Sequence, residues 1–217
     1  MSSVRVTEPV QLGSLALPGD LVIPAQALGL VVFVHGSGSG RKSPRNREVA
    51  HALQRHRLAT LLFDLLTEEE AQDRRKVFDI GLLAQRVIEA LHWARHHPDL
   101  ARFPFGLFGA STGAAAALVA AAQQPDRVAA VVSRGGRPDL AAASLPQVRA
   151  PTLLIVGGLD TEVLALNRQA LRQLDAPKRL EVVPGAGHLF EEPGALSSVA
   201  AFAARWFEQH LNQERPA

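Results

Sequence analysis

The chain has 217 residues, 47% hydrophobic and 20% charged, as expected for a single globular domain over residues 1–217 with a buried core. Its 23 lysines and arginines against 21 aspartates and glutamates leave a net charge of +2, which is too balanced for a protein whose whole surface binds nucleic acid. The absence of cysteine excludes disulfides, thiolate metal ligands and a cysteine nucleophile.

Apolar runs of strand length alternate with longer segments of helical period. This alternation predicts an α/β fold with a mostly parallel sheet and helices on both faces. The predicted strands are 4–12, 14–23, 29–34, 58–63, 103–108, 128–132, 152–156 and 179–183. The predicted helices are 43–57, 78–96, 112–123, one after residue 161, and 194–211. The longest connection without a clear pattern, 133–150, is too short for a lid domain, so we expect an open active face.

The first residues, MSSVRVTEPVQL, contain no long apolar run after positive charge. No later apolar segment is long enough to span a bilayer. We therefore expect a cytoplasmic protein without a membrane partner.

The pentapeptide GASTG, residues 109–113, follows a predicted strand and opens a predicted helix. A serine at the tip of such a turn is held in a strained conformation that small neighbours permit, and its hydroxyl faces the substrate. This context predicts that Ser111 is a catalytic nucleophile.

A serine nucleophile needs a base and an acid that orients the base, and in this type of fold the chain order is serine, acid, histidine. Asp160 follows the predicted strand 152–156, and His188 lies in a glycine-rich loop after the last strand. We therefore predict a triad of Ser111, His188 and Asp160. Asp64 and Glu162 are competing carboxylates, and we favour Asp160 over both.

An acyl-transfer site also needs donors for the oxyanion of its tetrahedral intermediate. These are usually the amide after the nucleophile and an amide in the loop after an early strand. The amide after the nucleophile is that of Thr112. The loop HGSGSG, residues 35–40, follows the strand 29–34, and we select Ser37 for the second donor. We interpret His35 as structural.

These residues resemble the α/β-hydrolase superfamily and, within it, the small lidless branch similar to dienelactone hydrolases. The resemblance covers about Val31 to Leu211 and rests on four blocks, VVFVHGSGSG, LFGASTG, LLIVGGLDTEV and VPGAGHLFEEP. The named dienelactone enzymes use a cysteine nucleophile, whereas this chain is similar to their serine-using relatives. The resemblance implies a general esterase acting on a small ester or lactone.

Other functions fit the sequence less well. The glycine-rich loop suggests nucleotide binding, but Arg41 stands where a phosphate-binding loop requires glycine before its lysine. His92, His96 and His97 lack the glutamate of an H-E-x-x-H metal motif, so we expect neither a metal nor a cofactor. An acyltransferase with the same triad and a non-catalytic interaction module both remain open. The sequence leaves the oligomeric state open.

Three arginines follow predicted strands whose carboxyl ends face the expected site: Arg41, Arg45 and Arg134. A guanidinium group matches a carboxylate in geometry and charge, so Arg41 and Arg134 are candidates for binding an acidic substrate. The alternative is that these arginines pair with Asp64, Asp139 or Glu191 to hold the loops.

Overall fold

The computed structural model describes residues 4–212 of the chain, with side chains described from residue 8 onwards. Eight strands form one sheet: β1 (Val4–Leu12), β2 (Leu17–Pro24), β3 (Gly29–Val34), β4 (Leu58–Phe63), β5 (Phe105–Ala110), β6 (Val128–Arg134), β7 (Thr152–Gly157) and β8 (Lys178–Val183). The helices are α1 (Pro44–Arg55), α2 (Arg74–Val77), α3 (Ile80–His96), α4 (Thr112–Gln123), α5 (Thr161–Gln173) and α6 (Ala195–Leu211). Short 3₁₀ segments span Glu70–Gln72 and Pro138–Gln147.

The strand order is β1-β2-β4-β3-β5-β6-β7-β8. Strands β3 to β8 run parallel, and β1 and β2 form an antiparallel extension at one edge. From β3 the chain moves first to β4 on one side and later to β5 on the other. This reversal opens a crevice at the carboxyl ends of β3 and β5, where ligands bind in sheets of this kind.

Helices cover both faces of the sheet. Helices α3, α4 and α5 contribute to one apolar cluster, whereas α1 and α6 pack in a second cluster on the opposite face. The strands β3, β4, β5 and β7 are buried throughout, as expected for strands covered on both faces. The α/β class, the mostly parallel sheet and the helices on both faces are therefore confirmed, and the described chain shows no lid.

Several predicted boundaries shift for local reasons. The predicted helix 78–96 begins two residues later, at Ile80, because the carboxylate of Asp79 caps α3 by accepting from the Leu82 amide at 2.9 Å. The predicted strand 103–108 instead runs as β5 to Ala110, and ends immediately before Ser111. The second predicted strand, 14–23, begins only at Leu17, after a turn in which the Ala16 amide donates to Gly13 O.

The connection 133–150 is more ordered than its sequence indicates. It contains the 3₁₀ segment Pro138–Gln147, which buries Ala141 and Leu145 against the α4 face of the sheet. Within residues 4–212, no helix has the length and apolar character needed to cross a bilayer.

Candidate active site

Ser111 occupies the turn between β5 and α4, with φ of 52° and ψ of −122°. A non-glycine residue with positive φ is strained, and such strain is concentrated at functional sites. Ser111 is the N-cap residue of α4, yet its side chain makes no capping hydrogen bond. Serine is one of the preferred N-cap residues because its hydroxyl normally accepts from a first-turn amide. Here the hydroxyl is not used to hold the helix.

The backbone around Ser111 is held by the neighbouring strand and loop. The Ser111 amide donates to Arg134 O at 3.2 Å, and Ser111 O accepts from the Arg137 amide at 3.1 Å. The loop after β3 lies against the other side, since a Cβ placed on Gly36 would be 3.0 Å from Ser111 Cβ. The nucleophile candidate therefore lies at the end of β5, between the loop after β3 and the end of β6.

His188 and Asp160 form a hydrogen-bonded pair with 2.7 Å between His188 Nδ1 and Asp160 Oδ2. The Asp160 side chain is 15% exposed and that of His188 39%, so the carboxylate is sheltered and the imidazole open to solvent. Asp160 is the N-cap residue of α5 and makes no side-chain capping bond. Its carboxylate is directed to the imidazole instead.

The loops that carry this pair contact each other directly. The Leu159 amide donates to Ala186 O at 2.9 Å, which ties the loop after β7 to the loop after β8. The structure also brings His188 close to the end of β6, the neighbour of the strand that leads to Ser111, because a Cβ placed on Gly135 would lie 3.5 Å from His188 Cε1. Gly135 directly follows Arg134, whose carbonyl holds the Ser111 amide. The three predicted triad residues thus all lie at the carboxyl edge of the sheet, where His188 is hydrogen-bonded to Asp160.

The competing carboxylates are placed differently. Asp64 accepts from the Arg41 amide at 2.7 Å through Oδ1 and pairs with Arg41 Nε at 3.2 Å through Oδ2. Glu162 is an exposed residue in the first turn of α5. Asp160 is the carboxylate that holds His188.

The predicted oxyanion-hole residues, Ser37 and Thr112, contact each other. The Ser37 amide donates to Thr112 Oγ1 at 2.9 Å. Thr112 is the first residue of α4, and first-turn amides of a helix have no acceptor within the helix. The participation of the Thr112 hydroxyl was not evident from sequence, since a threonine after the nucleophile carries no signal of its partner 75 residues away.

His35 fixes the orientation of the Ser37 amide. Its Nδ1 lies 3.0 Å from Gly36 O, and its Nε2 accepts from the Leu65 amide at 3.0 Å. A carbonyl only accepts, so Nδ1 carries the proton and the ring is neutral. Carbonyl and N–H point in opposite directions across a trans peptide, so holding Gly36 O aims the Ser37 N–H towards Thr112. Burial lowers the pKa of His35, which favours this neutral form.

The loop that carries His188 is anchored by a glutamate that sequence reasoning did not single out. Glu192 Oε1 accepts from the Gly187 amide at 2.9 Å, next to the histidine. Phe190 in the same loop has φ of 54° and is 2% exposed, so its ring packs into the core at the cost of backbone strain. The acidic pair in LFEEP, residues 189–193, was the available signal for such an anchor.

The three candidate arginines have different surroundings. Arg41 Nη1 lies 3.1 Å from each carboxylate oxygen of Asp20, and Arg41 also pairs with Asp64, so it holds a loop as the alternative interpretation required. Arg45 pairs with Glu191 at 3.1 Å. Arg134 is 9% exposed and forms none of the ion pairs found among the described residues.

A cavity of about 330 Å³ opens beside the loop after β3. Ser37 and Asp64 line its polar side, and Leu65, Val77 and Leu83 are among its apolar residues. A larger cavity of about 850 Å³ is lined by Trp93, His96 and Arg127 among others, and contains none of the triad. Because Arg127 immediately precedes β6, the larger cavity lies at the amino edge of the parallel strands, away from the candidate site.

The described part of the chain contains no group of three or more histidine and acidic side chains arranged to hold a metal ion. The donors gathered at the carboxyl edge of the sheet are instead a hydroxyl, an imidazole, a carboxylate and backbone amides. This set suits acyl transfer by a nucleophile and a general base.

Comparison with known proteins gives the family context. The model of the dienelactone hydrolase family matches residues 19–213. The crystal structure of a dienelactone hydrolase from Anabaena variabilis ATCC 29413 is 56% identical, with a TM-score of 0.92 over 97% of this chain and 99% of that one. Est1E from Butyrivibrio proteoclasticus shares the fold at 14% identity, with a TM-score of 0.79 over 94% of this chain and 98% of that one.

A curated relative from Mycobacterium tuberculosis (strain ATCC 25618 / H37Rv) is named a putative phosphoribosyl transferase. It is 57% identical over 199 residues, which cover 92% of this chain but 45% of that protein. The present chain thus spans less than half the length of this relative.

Proposed function

The chain belongs to the dienelactone hydrolase family, whose fold supports hydrolase activity, and we propose that it is a serine-dependent hydrolase of small carboxylic esters or lactones. Ser111 is the nucleophile, His188 the general base, and Asp160 the group that orients the base. The amide of Thr112 binds the oxyanion, and the Ser37 amide acts on it through the Thr112 hydroxyl to which it donates. No cofactor takes part.

The observation that carries this proposal is that Ser111 is an N-cap residue whose side chain makes no capping hydrogen bond. Ser111 has a strained backbone at the strand-to-helix turn, and its hydroxyl does not cap the helix that it begins. A structural serine at this position would accept from a first-turn amide. The strain is explained if its role is to present the hydroxyl above the sheet, as in the nucleophile turn of serine hydrolases.

The chemistry follows from the hydrogen bond of 2.7 Å between His188 and Asp160. A carboxylate only accepts, so His188 Nδ1 carries the proton and Nε2 remains a base. Nε2 takes the proton of Ser111 Oγ as that oxygen attacks the ester carbonyl carbon, and a tetrahedral oxyanion forms. The imidazolium then protonates the leaving alkoxide, which leaves an acyl-enzyme. Water, deprotonated by the same imidazole, attacks the acyl carbon, and the imidazolium returns its proton to Ser111 Oγ as the bond to that oxygen breaks and the acid is released.

The oxyanion is stabilised by the Thr112 amide and by the Thr112 hydroxyl, which in turn accepts from the Ser37 amide. The Ser37 N–H donates to Thr112 Oγ1, and a hydroxyl that accepts a hydrogen bond still has its own proton to donate. Hydrogen bonds in a chain polarise one another, so the bond from the Ser37 N–H to Thr112 Oγ1 strengthens the bond that the Thr112 hydroxyl donates to the oxyanion. The Thr112 hydroxyl therefore donates to the oxyanion beside the Thr112 amide, and the hydrogen bond between His35 and Gly36 O keeps the Ser37 amide in place behind it.

The cavity of about 330 Å³ next to Ser37 is where one side of the substrate binds. Its volume lies at the lower end for ligand pockets and suits a small acyl or alcohol group. Leu65, Leu66 and Leu83 provide apolar contact in it.

The same residues bear on two alternative functions, an acyltransferase and a non-catalytic interaction module. An acyltransferase would use the same triad and differ in the acceptor that attacks the acyl-enzyme. A non-catalytic module would have no reason to keep both Ser111 and Asp160 out of their capping roles.

A serine-directed fluorophosphonate and a panel of p-nitrophenyl esters and lactones test the proposal. Wild type is expected to be labelled and to turn over short esters, and Ser111→Ala to lose both the label and nearly all turnover while remaining folded. Ser197→Ala, at an exposed serine of α6, is the matched control and keeps both. Labelling of Ser111→Ala contradicts the assignment. Product analysis with alcohol acceptors separates an acyltransferase from an esterase.

A further inference from the structure

Asn167 is a fully buried polar residue in the middle of α5. Its Nδ2 atom donates to Gly136 O at 2.9 Å and to Val163 O at 2.8 Å, whereas its Oδ1 atom is buried without a hydrogen-bond partner within residues 4–212. Asparagine is a poor helix former, and a buried acceptor without a partner costs free energy. A leucine would avoid both costs, so the asparagine at this position needs an explanation.

A loop of three residues, 135–137, follows β6 and lies between the catalytic residues. Its last amide, that of Arg137, donates to Ser111 O at 3.1 Å. Its first residue, Gly135, packs against the imidazole, since a Cβ placed there would lie 3.5 Å from His188 Cε1. The loop therefore contacts the nucleophile turn at one end and the general base at the other.

Two consecutive glycines leave this loop weakly restrained by its own sequence. Gly135 has a positive φ of 52°, and glycine has the greatest backbone freedom of any residue. At Gly136 the packing demands glycine, because a Cβ there would lie 2.0 Å from Ser133 Oγ and 2.6 Å from Ala114 Cβ. The restraint that a larger residue would supply comes instead from the hydrogen bond between Asn167 and Gly136 O.

Asn167 connects this loop to the helix that follows the catalytic acid. Asp160 is the N-cap residue of α5, and Asn167 lies about two turns further along the same helix. The bond from Asn167 Nδ2 to Val163 O, one turn earlier, fixes the direction of the amide. The position of Gly136 is therefore set relative to Asp160, which in turn holds His188.

We propose that Asn167 is a positioning residue of the catalytic site, which sets the distance between Ser111 and His188 by holding Gly136 O. The inference rests on the proposed function, since it concerns the same nucleophile and base. The hydrogen bonds of Asn167 go to backbone carbonyls, so it acts through the loop 135–137 and not on the reacting atoms. A displacement of about 1 Å within such a site costs turnover by about 10²-fold.

The first test is Asn167→Leu, which removes the donor and keeps a side chain of similar size. We expect kcat for p-nitrophenyl acetate to fall by about tenfold or more, with KM within about threefold of the wild-type value. The two constants separate because the buried residue does not contact substrate, and because acylation and deacylation both use the same serine and histidine.

Thr152→Val is the matched control. Thr152 is also fully buried, and its hydroxyl donates to Ala150 O at 2.9 Å. It lies at the start of β7, at the end of the strand opposite the candidate site. Both variants lose a buried donor to a backbone carbonyl, so both are expected to lower Tm. Only Asn167→Leu is expected to lower kcat.

The second test is Asn167→Asp, which keeps the shape of the side chain and makes the donor depend on pH. Burial and the neighbouring carbonyl oxygens favour a neutral carboxyl, whose O–H donates to Gly136 O. As pH rises through the raised pKa of this carboxyl, it ionises, repels Gly136 O and releases the loop. We expect kcat to fall between about pH 6 and 9 in this variant, where wild-type kcat rises to a plateau, while circular dichroism shows both proteins folded.

The inference is overturned if Asn167→Leu keeps kcat within about threefold of wild type, or if the loss appears in KM alone. An equal loss of kcat in Thr152→Val overturns it as well, because the effect would then be a general loss of stability. If Asn167→Leu does not fold, the Asn167→Asp profile decides, and a profile parallel to that of wild type contradicts the inference.

Ser111→Ala separates this inference from the proposed function. In a protein that loses turnover with Ser111→Ala, a negative result for Asn167 contradicts the positioning role and leaves the proposed function standing. Turnover that survives Ser111→Ala contradicts the proposed function itself.

Discussion

Ser111 and Asp160 occupy equivalent positions in two helices, as the N-cap residues of α4 and α5, and neither side chain caps its helix. The capping residues Ser43, Asp73 and Asp79 of α1, α2 and α3 do accept from first-turn amides. An N-cap side chain contributes typically about 1 kcal/mol to stability. The protein thus forgoes helix stabilisation at the two positions from which the candidate nucleophile and the orienting acid extend.

Asp160→Asn is expected to lower kcat by about 10²-fold or more, because an amide can hold His188 in the wrong tautomer. The free energy of unfolding should change by less than about 1 kcal/mol, since Asp160 does not cap α5. Steady-state kinetics and urea unfolding measure the two effects. Asp64→Asn is the comparison: if it lowers kcat as much as Asp160→Asn, the assignment of the acid is wrong.

Thr112→Val replaces the hydroxyl that accepts from the Ser37 amide with a methyl group of similar size. We expect kcat to fall by about 10²-fold with a smaller change in KM, because a donor to the oxyanion acts mainly in the transition state. Thr112→Ser keeps a hydroxyl and should retain most of the activity. A rise in kcat for Thr112→Val would show instead that the hydroxyl blocks the Ser37 amide.

His35 should make stability depend on pH. Burial lowers its pKa in the folded state, so as pH falls below about 6.5 the unfolded chain takes up the proton first. The stability contributed by neutral His35 is therefore complete above that pH and declines below it, by at most about 1.4 kcal/mol per pH unit. Urea unfolding at pH 7.5 and 5.5 should show a larger loss in wild type than in His35→Gln. Equal losses in the two proteins would contradict the prediction.

Gly113 allows α4 to approach the end of β3. An added Cβ would lie 2.2 Å from Val34 O and 2.4 Å from His35 O, which are backbone atoms that cannot move aside cheaply. Gly113→Ala is expected to cost more than about 4 kcal/mol or to prevent folding. Gly38→Ala is the control, because Gly38 has φ of +67° with nothing within 4 Å, so it should cost only about 1–2 kcal/mol. Soluble yield and urea unfolding are measured for both variants. Similar stabilities would argue against the close packing of α4 on the end of β3.

Arg41→Met should act on stability without changing substrate preference. Arg41 is 20% exposed and pairs with Asp20 and Asp64, so its loss leaves two partly buried carboxylates without their cation. We expect a loss of about 1–3 kcal/mol in unfolding free energy and the same ratio of kcat/KM for an acidic over a neutral ester as in wild type. A selective rise in KM for the acidic ester would show instead that Arg41 binds the substrate.

The sequence by itself determined the class of fold and the identity of the site candidates. The alternation of apolar runs predicts the parallel sheet, because strand and helix periods are local properties of the chain. The turn motif around Ser111, and the loops with Asp160 and His188, each follow a predicted strand, and parallel strands bring their carboxyl ends to one edge. The sequence alone therefore predicts that the three residues lie at the same edge of the sheet.

Only the tertiary structure decided which polar groups pair. Arg41, Arg45 and Arg134 look equivalent in sequence because each follows a strand. Their surroundings depend on carboxylates far away in the chain: Asp64 is 23 residues from Arg41, and Glu191 is 146 residues from Arg45. The contact between Ser37 and Thr112 spans 75 residues in the same way. A side-chain partner is selected by how separate loops pack at the edge of the sheet, and no local pattern encodes that packing, which is why the buried and unpaired state of Arg134 emerged only from the fold.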